Sequence, residues 1–363
     1  MQFAIVGLAK SGKSTILNAL TRGKAGAAIH SGSLNLNIGT VRVPDARLLA
    51  LESMLHPKKT IAAEVSYVDI AGSLKASGSE RGLGGELLNY LSTADALLHV
   101  VRAFEDEKLP HPEGSVDLKR DIDSLDLELA FSDLAIIERK LDKLEATLKG
   151  AKTPERESYL REQGMLQKVK AALEKEIPVR QQGLDQDELK AVSQYQFLTA
   201  KPMLVVLNIG EEQLPQASLL ENEIKALYPQ FAVVALCGKL EMELEQLSAS
   251  EAKEFREAMG LTESALERVI SLSYELLGVI SFFTIASDQL KAWTIPHGTT
   301  APKAAGKVHT DMERGFIRAE VISRNDLEMC GTFAEARKRG LLKTEGKHYI
   351  IQDGDIVTFL FHV

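Results

Sequence analysis

Short, continuously apolar runs recur at Phe3–Val6, Val65–Val68, Leu97–Val101, Met203–Leu207 and Val233–Leu236, each ending in polar or glycine-containing residues. Runs of this length without polar alternation predict strands buried on both faces of a parallel sheet. Helical periodicities lie between them, so the pattern is α/β. The interval between the third and fourth runs is too long for one crossover and carries a helical stripe instead. Leu118, Ile122, Leu125 and Leu129 are spaced 4, 3 and 4 apart; after a one-residue slip the stripe resumes through Ala130, Leu134, Ile137, Leu141, Leu144 and Leu148. The turn signals Gly150 and Pro154 follow, and then a second helical pattern over residues 155–176. This predicts an antiparallel helical hairpin, residues 118–198, inserted between two pieces of the α/β domain, 1–117 and 199–280. Its outer faces mix charges of both signs, the pattern of a solvated surface.

From Phe282 the texture changes to short strands and turns, predicting a small α+β domain over 281–363. Thr332–Gly340 reads as a helix stopped by its glycine. Tyr349–Ile351, an Asp353-Gly354 turn and Ile356–Phe361 read as a terminal β-hairpin.

A length of 363 residues favours two or three domains. With 45% hydrophobic and 26% charged residues, the composition is that of a soluble globular protein. No stretch has the length and apolarity of a membrane span, and the N-terminus reads as a strand rather than a leader, so a cytoplasmic protein without membrane contact is expected. Cys237 and Cys330 lack the spacing of a disulfide framework or a zinc site. The net charge of −8 argues against indiscriminate nucleic-acid binding, and no DNA partner is expected. Residues 281–363 hold 11 basic and 10 acidic side chains, a balance that permits docking on RNA. The cluster Arg337-Lys338-Arg339 also suits the last turn of a helix, where cations complement the dipole.

The chemistry is concentrated in Gly7-Leu8-Ala9-Lys10-Ser11-Gly12-Lys13-Ser14, between the first strand and the helical segment Thr15–Leu20. This is a complete P-loop in strand-turn-helix context. The backbone of Lys10, Ser11, Gly12, Lys13, Ser14 and Thr15 forms a nest for phosphate oxygens at a helix N-terminus. Lys13 would reach the β- and γ-phosphates, and the Ser14 hydroxyl would ligate Mg²⁺. Asp69-Ile70-Ala71-Gly72 follows the second strand, where D-x-x-G senses metal and γ-phosphate. Asp69 would hold Mg²⁺ through water and the Gly72 N–H would meet the γ-phosphate. Asn208-Ile209-Gly210-Glu211 stands where guanine-specific proteins carry N-K-x-D. Glu211 for Asp and Ile209 for Lys impair that clamp, while the Asn208 amide can still meet a purine edge. The loop Cys237-Gly238-Lys239 would bring backbone N–H groups, Gly238 among them, to the base.

These segments, with Gly82-Leu83-Gly84, His99–Asp106, Ala292–Ile295, Ala301–Gly306 and Gly315–Ile317, resemble the YchF or Obg-like ATPase family of translation-factor-type P-loop proteins over essentially the whole chain. The resemblance implies a P-loop domain, the inserted hairpin, a C-terminal β-grasp (TGS-like) domain, and an N-x-x-E motif that accompanies a preference for ATP over GTP. It further implies a water-positioning role for His111, in a loop after the F-E-x-D segment, and ribosome or RNA contact through the TGS-like domain and the hairpin. The expected function is a Mg²⁺-dependent ATPase switch in translation or stress regulation. The alternatives are a ribosomal GTPase and a nucleotide-gated scaffold with negligible hydrolysis. The chain departs from the family pattern in three places. Ala9, Lys10 and Ser11 replace Pro, Asn and Val, so the Lys10 ammonium can occupy the place of a potassium ion that related proteins bind. Ser33 stands where the first switch carries a Mg²⁺-ligating Thr. Ser73-Leu74 replaces the residues that usually follow D-x-x-G.

Overall fold

The computed structural model describes residues 1–23, 29–31, 34–71, 85–150, 152–261 and 264–362. Its strands in chain order are β1 Gln2–Val6, β2 Ile29–Ser31, β3 Leu34–Arg42, β4 Lys59–Ile61, β5 Glu64–Ala71, β6 Ala96–Arg102 and β7 Met203–Asn208. They continue with β8 Ala232–Leu236, β9 Val279–Ala286, β10 Gln289–Pro296, β11 Phe316–Ile322, β12 Lys343–Glu345 and β13 Ile356–Phe361. The five apolar runs lie in β1, β5, β6, β7 and β8, which belong to one sheet of order β2-β3-β5-β1-β6-β7-β8. β1 runs parallel to both β5 and β6, and β6, β7 and β8 continue in parallel. Every residue of β6 and β7 is buried, which is why neither run alternates with polar residues. After β1 the chain passes to one side of it and later returns on the other, so a crevice opens at the carboxyl ends of β1 and β6. Parallel sheets bind ligands at such a switch point.

The long helix runs Leu118–Leu148 and its partner Thr153–Leu173, close to the predicted spans. Asp117 starts the first by accepting the Arg120 N–H at 3.0 Å. The slip in the stripe marks a change of partner. Ile122, Leu125 and Leu129 pack into the core of the parallel sheet, whereas Ala130, Ile137 and Leu144 pack with Leu166, Val169 and Leu173 of the second helix. Ion pairs from Glu138 to Lys170 and from Lys140 to Glu162 fit an antiparallel return.

Contacts divide the chain into residues 1–40 with 66–269, and 41–65 with 270–363. Residues 41–65 were expected within the α/β domain. They group instead with the C-terminal part, because β4 pairs in parallel with β10 and Arg47 donates to Asp353 at 2.6 Å. A three-residue strand whose partner lies more than 200 residues later leaves no local pattern to read.

The second sheet has order β12-β11-β13-β9-β10-β4. Helix Ala301–Val308 packs Ala301, Ala304 and Ala305 against Ile295, Phe316 and Phe359 of its strands. β13 lies between β11, to which it is antiparallel, and β9, to which it is parallel. The expected terminal hairpin therefore does not form: both edges of β13 are taken, and Ile350 makes only an isolated bridge to Thr300. Asp353-Gly354 is a turn as expected. The bend is set by buried Asp355, whose carboxylate accepts from the Gln352 N–H and the Tyr349 hydroxyl, both at 2.8 Å. The helix expected at 332–340 occupies Phe333–Lys338, capped by Thr332 and followed by Gly340 at φ 71°. Arg337 pairs with Glu320 and Arg339 with Glu335, so two cations of the basic cluster already have acidic partners.

Candidate functional site

The P-loop depends on two glycines. Gly7 has φ 145° and an added Cβ would lie 2.3 Å from the Val100 carbonyl oxygen of β6. Gly12 has φ 96° and its Cβ would meet the Asn208 amide nitrogen at 2.1 Å. The loop can thus press onto the sheet before the helix Lys13–Leu20 begins. Above it lies a cavity of about 770 Å³, lined by P-loop residues including Lys10, Lys13, Ser14 and Thr15, by Phe104–Asp106 and Leu109, by Asn208–Glu212, and by Cys237 and Lys239. That volume suits a nucleotide-sized ligand.

Lys13 is folded over its own loop, donating to the carbonyl oxygens of Gly7 at 3.0 Å and Leu8 at 2.8 Å. Burial lowers its pKa, against the opposing pull of Asp69. The Ser14 hydroxyl donates to Asp69 Oδ2 at 2.5 Å. The other carboxylate oxygen, Oδ1, is buried without a hydrogen-bond partner, and Asp69 is only 1% exposed. A buried anionic oxygen beside a hydroxyl is a donor set that fits a hard divalent cation. Among the described residues no cluster of three or more His, Cys, Asp or Glu could hold a metal. Mg²⁺ bound here would complete its shell with phosphate and water. Gly72, Ser73 and Ser33 lie outside the described residues.

Asn208 is buried and committed at both ends of its amide. Nδ2 donates to the Ser11 carbonyl at 2.9 Å, and Oδ1 accepts from the Gly238 N–H at 3.1 Å. It ties the P-loop to the turn after β8 and engages the Gly238 N–H, while the second Nδ2 N–H is left over from these two bonds and the residue lines the cavity. Gly12 and Gly238 make room for it, since a Cβ on either would meet this side chain. Ile209 is buried, and its N–H donates to Leu236. At this corner of the cavity Glu211 is half exposed and pairs with Lys239 at 3.0 Å. Lys10 adopts φ 64° and its ammonium lies 3.4 Å from the Pro110 carbonyl oxygen.

His111 does not line the cavity. Its side chain is 2% exposed, with Nδ1 accepting the Glu113 N–H at 3.1 Å and Nε2 lying 3.0 Å from Asp121 Oδ2. Asp121 sits in the first turn of the long helix and also pairs with Arg120. The histidine is thus held beside the helix N-terminus, while its neighbour Pro110 reaches the P-loop lysine.

The wall formed by Phe104, Asp106 and Leu109 was not among the candidate residues. Arg102 builds it: Nε donates to Phe104 O at 2.9 Å, Nη1 donates to Leu109 O at 2.7 Å, and the guanidinium lies 4.4 Å from the Phe104 ring centroid. The available signal was the segment His99–Asp106, which the family resemblance already singled out.

A family model described as 50S ribosome-binding GTPase matches residues 2–132. The YchF-GTPase C-terminal model, described as a protein of unknown function, matches residues 279–362. The Ribosome-binding ATPase YchF of Bacillus subtilis (strain 168) is 38% identical over 99% of this chain and 98% of its own length. The chain belongs to the YchF family. The YchF of Escherichia coli O157:H7 is 37% identical over the same shares of both chains. The solved structure of the Schizosaccharomyces pombe YchF GTPase matches with a TM-score of 0.87 at 31% identity, over 99% of this chain and 97% of the other. The YchF fold is therefore shared from end to end, and the chain is a nucleoside triphosphatase of this family.

Proposed function

We propose that this YchF-family protein is a Mg²⁺-dependent, ATP-preferring hydrolase that acts as a slow switch on the ribosome. The observation that carries the reading is the contact of Ser14 with Asp69, with Asp69 Oδ1 buried and unpartnered. This is the residue set that would hold Mg²⁺ against a β,γ-phosphate. Ser33 and Gly72 complete the set in this proposal, at the metal and the γ-phosphate respectively. The relatives named as ribosome-binding ATPases support the ribosome as partner. Glu211 in place of Asp, and its pairing with Lys239, support relaxed guanine selection. Lys10, whose ammonium has only a long contact to a carbonyl oxygen, would add a fixed positive charge beside the phosphates.

Single-turnover phosphate release with ATP and with GTP, with and without ribosomes, tests the reading. The expected result is Mg²⁺-dependent release from ATP that ribosomes accelerate. Faster release from GTP would instead make the protein a ribosomal GTPase. Tight nucleotide binding with negligible release under all conditions would make it a nucleotide-gated scaffold.

His111 belongs to the same proposal as the residue that orients the attacking water. To do so it must leave Asp121, which the short loop 104–114 can permit once phosphate draws Lys10 from Pro110. His111→Ala is expected to slow single-turnover hydrolysis by about 10²-fold, the lower end of the usual range for proton-handling side chains, and to leave nucleotide affinity within about twofold. Unchanged turnover would remove His111 from the mechanism.

A further inference from the structure

We propose that the base is read by the ion pair between Lys239 and Glu211, and that Lys239 is the residue that lets the pocket accept adenine. This rests on the reading of the cavity as a nucleoside triphosphate site. Three observations carry it. Lys239 and Glu211 both line the cavity, with Nζ and Oε1 3.0 Å apart. Asn208, which lines the same stretch of the cavity together with Glu212, already has one amide N–H and its oxygen bound to backbone. The pair itself is solvent-exposed, with side chains 73% and 46% accessible, so it is held weakly and can exchange partners with a ligand.

The chemistry of the two purines gives the pair its meaning. Guanine presents two adjacent donors, N1–H and the N2 amino group, which a free carboxylate can accept with both oxygens. Adenine presents one donor, the N6 amino group, beside one acceptor, N1. A carboxylate alone would satisfy N6 and face the N1 lone pair with a second anionic oxygen. A carboxylate with an ammonium 3.0 Å away offers one acceptor and one donor side by side, which matches N6 and N1 together. Lys239 also occupies one of the Glu211 oxygens that guanine would use. The pair thereby weakens guanine recognition and completes adenine recognition. Glu211 without Lys239 would do the reverse.

The test is a calorimetric titration of ATP and GTP, as slowly hydrolysed analogues with Mg²⁺, into the full-length chain and two variants. Lys239→Ala is expected to shift the ratio of affinities about tenfold or more toward GTP, because Glu211 regains both oxygens. Glu211→Gln, whose amide offers one donor and one acceptor, is expected to shift the ratio toward ATP. Opposite shifts in the two variants support the pair as the reader. An unchanged ratio in Lys239→Ala with both nucleotides still bound, or shifts of the same sign in both variants, overturns it. Failure of the unaltered chain to bind either nucleotide would overturn the triphosphate site itself, a result distinct from an unchanged ratio.

Discussion

Lys13→Ala is expected to lower single-turnover hydrolysis by about 10²–10³-fold, the cost of removing one preorganised charge from a transferring phosphoryl group, while the melting temperature stays level or rises slightly. The two halves have one physical origin. The Lys13 ammonium is held against the P-loop by two carbonyl oxygens, and burial lowers its pKa, so the folded state bears a desolvation cost at neutral pH. Alanine removes that cost together with the two carbonyl hydrogen bonds and the attraction of Asp69, which burial outweighs, as the lowered pKa shows. A residue that is costly when the site is empty and indispensable when phosphate arrives is placed for function rather than stability. Phosphate release measured beside a thermal melt separates the effects. Loss of activity with a melting temperature several degrees lower would mean that Lys13 supports the loop itself. Retained activity would remove it from phosphate binding.

The elements legible in the sequence were those with local causes. The five buried strands, the P-loop and both long helices follow from uninterrupted apolar runs, a fixed motif and a helical stripe that each describe neighbouring residues. Even the irregularity at Leu129 and Ala130 had structural meaning, since it marks where the helix leaves the sheet core and meets its partner helix. The features that were not legible are settled by distant partners. β4 is recruited by β10, and β13 is drawn between β9 and β11 instead of folding back on Tyr349–Ile351. At the site, sequence spacing located Asn208, Glu211 and His111 but could not say what each side chain touches. Asn208 turns to the Ser11 carbonyl and the Gly238 N–H, and His111 to Asp121. Glu211 and Lys239, 28 positions apart, meet only because β7 and β8 are neighbours in the sheet.

Asp133→Ala is expected to destabilise the protein by about 3 kcal/mol at pH 5 and by less at pH 7.5. Asp133 is fully buried on the long helix, where it anchors the segment by which the hairpin rejoins the sheet. Its carboxylate accepts from the Leu198 N–H at 2.8 Å, the Thr199 N–H at 2.8 Å and the Thr199 hydroxyl at 2.6 Å. Alanine would orphan three donors, each costing about 1–3 kcal/mol when left dry. Removal of a buried anion, and entry of water into the gap, would offset part of that sum. Burial pushes the Asp133 carboxyl up to about 6, with the three donors pulling it back down. An acid that holds its proton more tightly when folded than when unfolded stabilises most below the unfolded pKa, near 4. That contribution falls as pH rises toward 6 and is flat above. The native side chain is therefore worth about 1 kcal/mol more at pH 5 than at pH 7.5, and the penalty for losing it shrinks accordingly. Urea denaturation of both chains at the two pH values reads the effect directly. A penalty below about 1 kcal/mol at both would show that water replaces the carboxylate without loss. A penalty that grows with pH would show that the three donors, not burial, govern its ionisation, and that the hairpin is anchored by a charge rather than by a buried acid.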